Sequence, residues 1–426
     1  MKLQPKNRRV QSFLDRLRKA PAFQWDDITD PRDPRGRRWP FASLMDGLLD
    51  GMLAGCLTLR DVEVLTDELA EGERFRIPRR IPDTTLYELV PRLSVEQLRD
   101  KLRQQVRTLW RAKSFEPQNL PCGVLSIDGK AIGTLSHDAE GSAQKAHRAH
   151  DGSPYWLSRV LRAVLTSAAA KPCLDQMLVP AETNEMGAFE QFFAALMAAY
   201  GRGDLFEIVT ADAGFTSAHN AGLVHAADKA YVLALKLGQP ELRAEAERLL
   251  RPKTRMAPDA ETGWERVRGK LVQRRLYRTT EIAGFHDWSH LRQAWLVVQE
   301  TRHPGGKAEI EERFFLTNLT SGRLSAAQCL LVVRGHWGIE NDCFWSADMQ
   351  WHEDFSPWCT RGVAVEVLGL LRLMAYNLLQ LARKRHLRPR HPDGKLAPPP
   401  AWRQVFDWVR QALRLPPPIA VTGQLV

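Results

Sequence analysis

The stretch CGVLSIDGKAIG (122–133) runs apolar through Val124, Leu125 and Ile127 and then meets Asp128, Gly129 and Lys130. A short apolar run stopped by glycine reads as a buried strand. Side chains alternate along an extended chain, so Ser126, Asp128 and Lys130 share a face, with a carboxylate at the mouth of the strand. FEIVTADAGF (206–215) repeats the arrangement: Phe206, Ile208 and Val209 are apolar, and Asp212 closes the run. Ligands of open α/β sheets collect outside strand ends. Each aspartate either caps the turn that follows or offers a ligand there, and two on one sheet can share a metal ion. Such an ion calls for a third hard oxygen, because Mg2+ and Mn2+ prefer carboxylates and water.

Outward from these strands the texture is α/β. RVLRAVLTSA (159–168), KPCLDQMLVP (171–180) and YVLALK (231–236) read as further strands. Residues 184–201 form an amphipathic helix with Asn184 as N-cap and Gly201 past its end, and 216–227 form another. From about 240 to 320 the pattern turns to β, in KLVQRRLYRTTEI, QAWLVVQETR and EERFFLTNL. Helices resume at Ser325 and again at 361–385. Upstream of 115 the chain reads as short helices: one capped by Ser43, one opened by a Thr58–Asp61 capping box with Gly72 beyond its end, a short one at 82–93, and one opened by Ser94 and Gln97. PRHPDGKLAPPP (389–400) reads as a linker before a short helix at 402–413.

The third acid lies in VVRGHWGIENDCFWSAD (332–348). On a helix, Arg334, His336, Trp337, Asn341 and Phe344 cluster around the carboxylate of Glu340. Glu340 is there either as an ordinary surface ion pair or as the missing ligand, and Trp337 either packs or stacks on a base. Glu353 and Asp354, in HEDF (352–355), form a competing acidic pair.

With 44% hydrophobic and 26% charged residues, the 426-residue chain has the make-up of a globular protein of two or three domains. No apolar run approaches the roughly 20 residues that span a bilayer, and MKLQPKNRRVQSF lacks the apolar centre of a secretory signal. The expected location is the cytoplasm, with no membrane partner. Six cysteines without paired spacing point to reduced thiols rather than disulfides or zinc ligands. The net charge of +10 sits at the ends: residues 1–40 carry 11 Lys and Arg against 5 Asp and Glu, residues 381–426 carry 9 against 2, and the stretch between is slightly acidic. Basic ends on such a chain suit a polyanion, and nucleic acid is the foremost one.

SIDGKAIG, VTADAGF followed by YVLALK, and RGHWGIEN, in this order and separation, resemble the insertion-sequence transposases of the DDE superfamily, closest to the H-repeat-associated group. The resemblance runs from the DPR segment near 32 to about 375, and ETNE (182–185) sits where that group has a similar segment. It implies an RNase H-like α/β mixed sheet core in which Asp128, Asp212 and Glu340 are catalytic and bind two divalent cations, Mg2+ or Mn2+. It also implies DNA contacts by Lys130, Arg334, His336 and Asn341. Related transposases carry a lysine seven residues after the glutamate; here Ala347 stands there with Asp348 next, so that phosphate contact does not carry over. The expected map is a helical DNA-binding domain at 1–115, a core at 116–240 and 321–388, an inserted β subdomain at 241–320, and a basic tail with a short helix at 389–426. The implied activity is metal-dependent 3′-end cleavage and strand transfer of an insertion sequence. Its partners would be double-stranded DNA, both terminal inverted repeats and target, and a second copy of the chain forming a dimer on DNA. A metal-dependent nuclease on the same core and an inactive, transposase-derived DNA-binding protein are the alternatives.

Overall fold

The computed structural model describes residues 5–70, 79–135, 144–354, 358–388 and 396–414. Five helices come first: α1 (Pro5–Arg18), α2 (Phe41–Leu53), α3 (Leu59–Ala70), α4 (Asp83–Leu89) and α5 (Val95–Arg111). Strands β1 (Val124–Leu135), β2 (Gln144–Arg148), β3 (Pro154–Leu165) and β4 (Cys173–Leu178) precede helix α6 (Glu185–Tyr200). Strand β5 (Ile208–Ala211), helix α7 (Ala218–Ala226), strand β6 (Ala230–Leu235) and helix α8 (Pro240–Leu250) follow. The next run is β7 (Ala260–Glu261), β8 (Glu265–Val267), β9 (Lys270–Thr279), β10 (Gln293–Arg302) and β11 (Ala308–Thr317). Helices α9 (Ala326–His336), α10 (Trp345–Trp351), α11 (Ala364–Leu381) and α12 (Trp402–Leu413) complete the order.

Among the described residues these strands form one mixed sheet in the order β2-β3-β1-β5-β6-β11-β10-β9-β7, with β4 on β3 and β8 on β9. β1, β5 and β6 are parallel neighbours; β3 runs against β1, and β11 against β6. The strands between 260 and 317 therefore extend the central sheet through β11. The sequence reading placed the turn to β at about 240, but residues 240–250 are helical, with Pro240 in the first turn and Leu242, Ala246, Leu249 and Leu250 buried at helical spacing.

Local signals explain most helix starts. Thr58 and Asp61 cap each other's backbone N–H at 3.0 Å, and Ser94 accepts from Gln97 N at 3.3 Å. Gly72 lies outside the described residues. Helix α2 is a correction: it begins at Phe41 behind Pro40, whose fixed φ of −55° suits a helix start, and Ser43 is a buried residue within it.

Helix α11 is buried along its whole length, against α2 and α5 on one side and β4 on another. Its stretch from Ala364 to His386 has the length and hydropathy of a membrane span, a property the sequence reading did not assign to any run, and its apolar window is entirely enclosed by protein. The contact with α5 is also ionic. Asp175 on β4 accepts from Arg99 at 3.2 Å and from Arg103 at 2.8 Å, and Arg99 reaches Glu366 of α11 at 2.6 Å. A single apolar core joins α1–α5 to one face of the sheet and to α11 and α12. A second core lies under α9 on the other face, from Val124, Ile208 and Val232 to Trp295 and Phe315. All six cysteines are buried thiols.

Candidate active site

Strands β1 and β5 pair from Val124–Ile208 to Ile127–Ala211. Asp128 and Asp212 are the next residues, so they leave adjacent strands side by side, about 4.8 Å apart in backbone spacing. Here the apolar run misleads in one respect. β1 does not end at Asp128 but continues to Leu135 against β3; what ends is its pairing with β5.

Alternation sets the direction of both aspartates. Two residues earlier, Ser126 Oγ lies 2.8 Å from Thr210 Oγ1 and 2.8 Å from Thr166 Oγ1, and Thr210 Oγ1 lies 2.9 Å from His336 Nδ1. This buried hydroxyl chain ties the end of α9 to the sheet face that carries the aspartates. Burial pushes the His336 imidazole down to about 4, so it is neutral at physiological pH, although Asp212 pulls the other way. Glu340 follows four residues after His336, in a π-helical turn, Ile339–Phe344, between α9 and α10. Such turns place side chains that a regular helix would rotate away. Asp342 anchors the turn: Lys171 bonds it, Lys384 lies 3.5 Å away, and these cations hold its carboxyl below the usual range despite burial.

Asp212 and Glu340 line one cleft of about 290 Å³, with Lys236, His336 and Trp337. Burial pushes Asp128 up to about 7; Glu340, Asp212 and Glu185 push the same way, and a 2.8 Å bond from Gly129 N opposes them. The donor set is all hard oxygen, and its charges repel one another in a half-buried place. That is the chemistry a hard divalent cation satisfies. Among the described residues no three acidic, His or Cys side chains stand close enough to grip one ion jointly as they are placed. The exposed Glu340 is the member with room to move.

Glu185 escaped the sequence reading. It opens α6 behind the N-cap Asn184, and its carboxylate occupies the space where a side chain at position 129 would begin. Only glycine lets it lie against β1 beside Asp128. The signal was present in ETNE, which marked a helix start and a segment shared with the resembled group but gave Glu185 no role. Gly129→Ala should displace this carboxylate and lower stability by about 1–3 kcal/mol through overpacking, which urea unfolding of parent and variant checks.

The four residues tied by resemblance to DNA are placed unequally. Lys130 is buried, ion-paired to Asp348 and 3.6 Å from Glu353 Oε2. His336 is buried in the hydroxyl chain. Arg334 does not line the cleft and makes a two-pronged ion pair with Glu265 of β8, at 2.7 and 3.0 Å. Asn341 is exposed, donates to Trp337 O at 2.9 Å and accepts from Arg268 at 3.3 Å. Trp337 packs against the second core with the Arg313 guanidinium 4.2 Å from its ring centre. Glu353, the rival acid, is enclosed by cations and does not line the cleft: Arg162 bonds it at 2.7 Å and Arg372 at 2.8 Å.

Acidic side chains delivered by two parallel strands and a helical turn to one edge of a mixed sheet are the setting in which this chain's kinship can be stated. It belongs to the transposase DDE domain family, whose match covers residues 122–378, from the entry of β1 to α11. Among solved structures the chain is similar to piggyBac transposase in a synaptic complex with hairpin DNA, at 11% identity and a TM-score of 0.39, over 97% of this chain and 72% of that one. Comparison with curated proteins finds no match.

Proposed function

We propose that this chain is the transposase of an insertion sequence, which cuts the 3′ ends of its element and joins them to target DNA, with Asp128, Asp212 and Glu340 as the catalytic acids. The observation that carries the proposal is that Asp128 and Asp212 leave adjacent parallel strands side by side while Asp212 and Glu340 line one cleft, all three within the family's matched span. The core around β1, β3, β4, β5 and β6 is RNase H-like in this reading. The helices before 115 and the basic tail grip DNA, and the strands between 260 and 317 act as an insertion into that core. The active species is a dimer on DNA, with one copy for each end, in the bacterial cytoplasm.

The three carboxylates would hold two Mg2+ or Mn2+ ions, which when bound activate the attacking oxygen and stabilise the leaving one. The protein's own part is positional. The sheet fixes Asp128 and Asp212, and the hydroxyl chain through His336 fixes the end of α9. Glu340, on a wide turn with its own lysine anchors, closes on the cleft from the other side. No nucleotide or covalent protein intermediate is needed, since water and then the freed 3′-OH are the nucleophiles.

The test is incubation of end-labelled DNA carrying the element's ends with a target duplex and Mg2+ or Mn2+. Joined products support the proposal. Hydrolysis without joining identifies a nuclease on the same core, and binding without either identifies a DNA-binding protein that has lost catalysis.

A further inference from the structure

The β8–β9 hairpin turns in two residues, Arg268 and Gly269, between the paired Val267 and Lys270. Both have positive φ, 49° and 83°, as the tight hairpin turn requires. Asn, Asp or Gly takes the first of these positions without strain, whereas arginine is there at a conformational cost. Its side chain buries nothing, because the whole tip from Arg266 to Lys270 is exposed. What the arginine does is reach Asn341, the residue after Glu340, at 3.3 Å.

The root of the hairpin is fixed to the same helix. Glu265 takes both prongs of Arg334 on α9, and Arg274 of β9 lies 3.5 Å from Glu265. The Arg334–Glu265 pair thus spends Arg334's charge inside the protein and uses it to hold the hairpin over the turn that carries Glu340. Beyond that anchor the tip offers Arg266, Arg268 and Lys270, none with an ion pair within 4 Å among the described residues. Side chains alternate along each strand, so this charge fans to both sides of the tip.

From this arrangement we infer that the β8–β9 tip is a phosphate clamp: Arg266, Arg268 and Lys270 hold the DNA backbone beside the cleft, with Arg268 exchanging Asn341 for a phosphate oxygen when DNA arrives. The inference rests on the transposase reading and adds the element that supplies cationic contact next to Glu340. Contacts of this kind carry no base sequence and register as salt dependence.

Binding of the full chain to a duplex of arbitrary sequence, about 40 base pairs long, is followed by fluorescence anisotropy across a salt series. Neutralising the three residues together (Arg266→Gln, Arg268→Gln, Lys270→Gln) is expected to weaken binding about 10- to 100-fold and to reduce the slope of log affinity against log salt by about 2 to 3. Arg268→Gly alone removes one charge and relieves the turn. It should fold at least as well as the parent and reduce the slope by about 1, whereas Arg268→Lys should leave the slope as it is. If the unaltered chain binds and both charge-removing variants keep its slope, the clamp is overturned while the transposase reading stands. If the unaltered chain shows no affinity for duplex DNA even at low salt, both fall.

Discussion

Asp128→Asn and Glu340→Gln should each lower cleavage of end-labelled DNA by about a thousandfold or more, a loss of about 4 kcal/mol of transition-state stabilisation. Affinity for duplex DNA should stay within about threefold, because neither residue is among the cations that take phosphates. Asp128→Asn carries a second expectation. Burial and three neighbouring carboxylates oppose the charge of Asp128, and asparagine keeps an oxygen to accept from Gly129 N. The metal-free variant should therefore melt no lower than the parent and bind Mg2+ or Mn2+ more weakly, the usual trade between a functional charge and stability. Joined products from either variant at the parent's rate would remove these residues from catalysis, and a variant that melts well below the parent would give Asp128 a structural role instead.

The largest loss of stability should come from a residue outside the cleft. Glu353 is enclosed with Arg162 and Arg372, two guanidinium groups that are themselves buried, and Lys130 stands beside it. Glu353→Ala leaves these cations uncompensated, and breaking a buried pair in this way costs about 3–5 kcal/mol. The pH dependence has a definite sign. Burial alone would raise the carboxyl, but Arg162, Arg372 and Lys130 more than offset it and hold it well below its usual 4.5. As pH falls, the unfolded chain takes up this proton first, so the contribution of Glu353 is complete above about pH 5 and drains away below it. Urea midpoints measured between neutral pH and the lowest pH at which the parent folds should converge for parent and Glu353→Gln as the medium becomes more acidic. Parallel curves would mean that the carboxylate is not the compensating charge.

The parts of this architecture legible in sequence are those whose cause is local. Apolar runs stopped at Asp128 and Asp212 located two neighbouring strands, and the caps at Thr58, Ser94 and Asn184 located helix starts. Glu340 was set apart from Glu353 by the family resemblance of RGHWGIEN, while the buried ion pairs of Glu353 could not be read from HEDF. What stayed hidden depends on partners far along the chain. RVLRAVLTSA reads as an ordinary apolar strand because Arg162 looks like a tolerated exception, while its acid lies at position 353. Lys130 and Arg334 look like free cations for DNA until Asp348 and Glu265 are found beside them. Glu185 sits in a recognisable helix start, yet its approach to Gly129 joins elements more than fifty residues apart and leaves no periodicity to read.

Helix α11 touches the amino-terminal helices and the sheet at once, and the arginines of α5 end on Asp175 of β4. Among the described residues the first apolar core runs through both regions without a break, while the second belongs to the sheet and α9 alone. Whatever the amino-terminal helices hold is consequently held at a set distance from the carboxylates, by a ruler and not by a leash. The spacing between a bound stretch of duplex and the bond to be cut would then be dictated by the rigidity of the whole body.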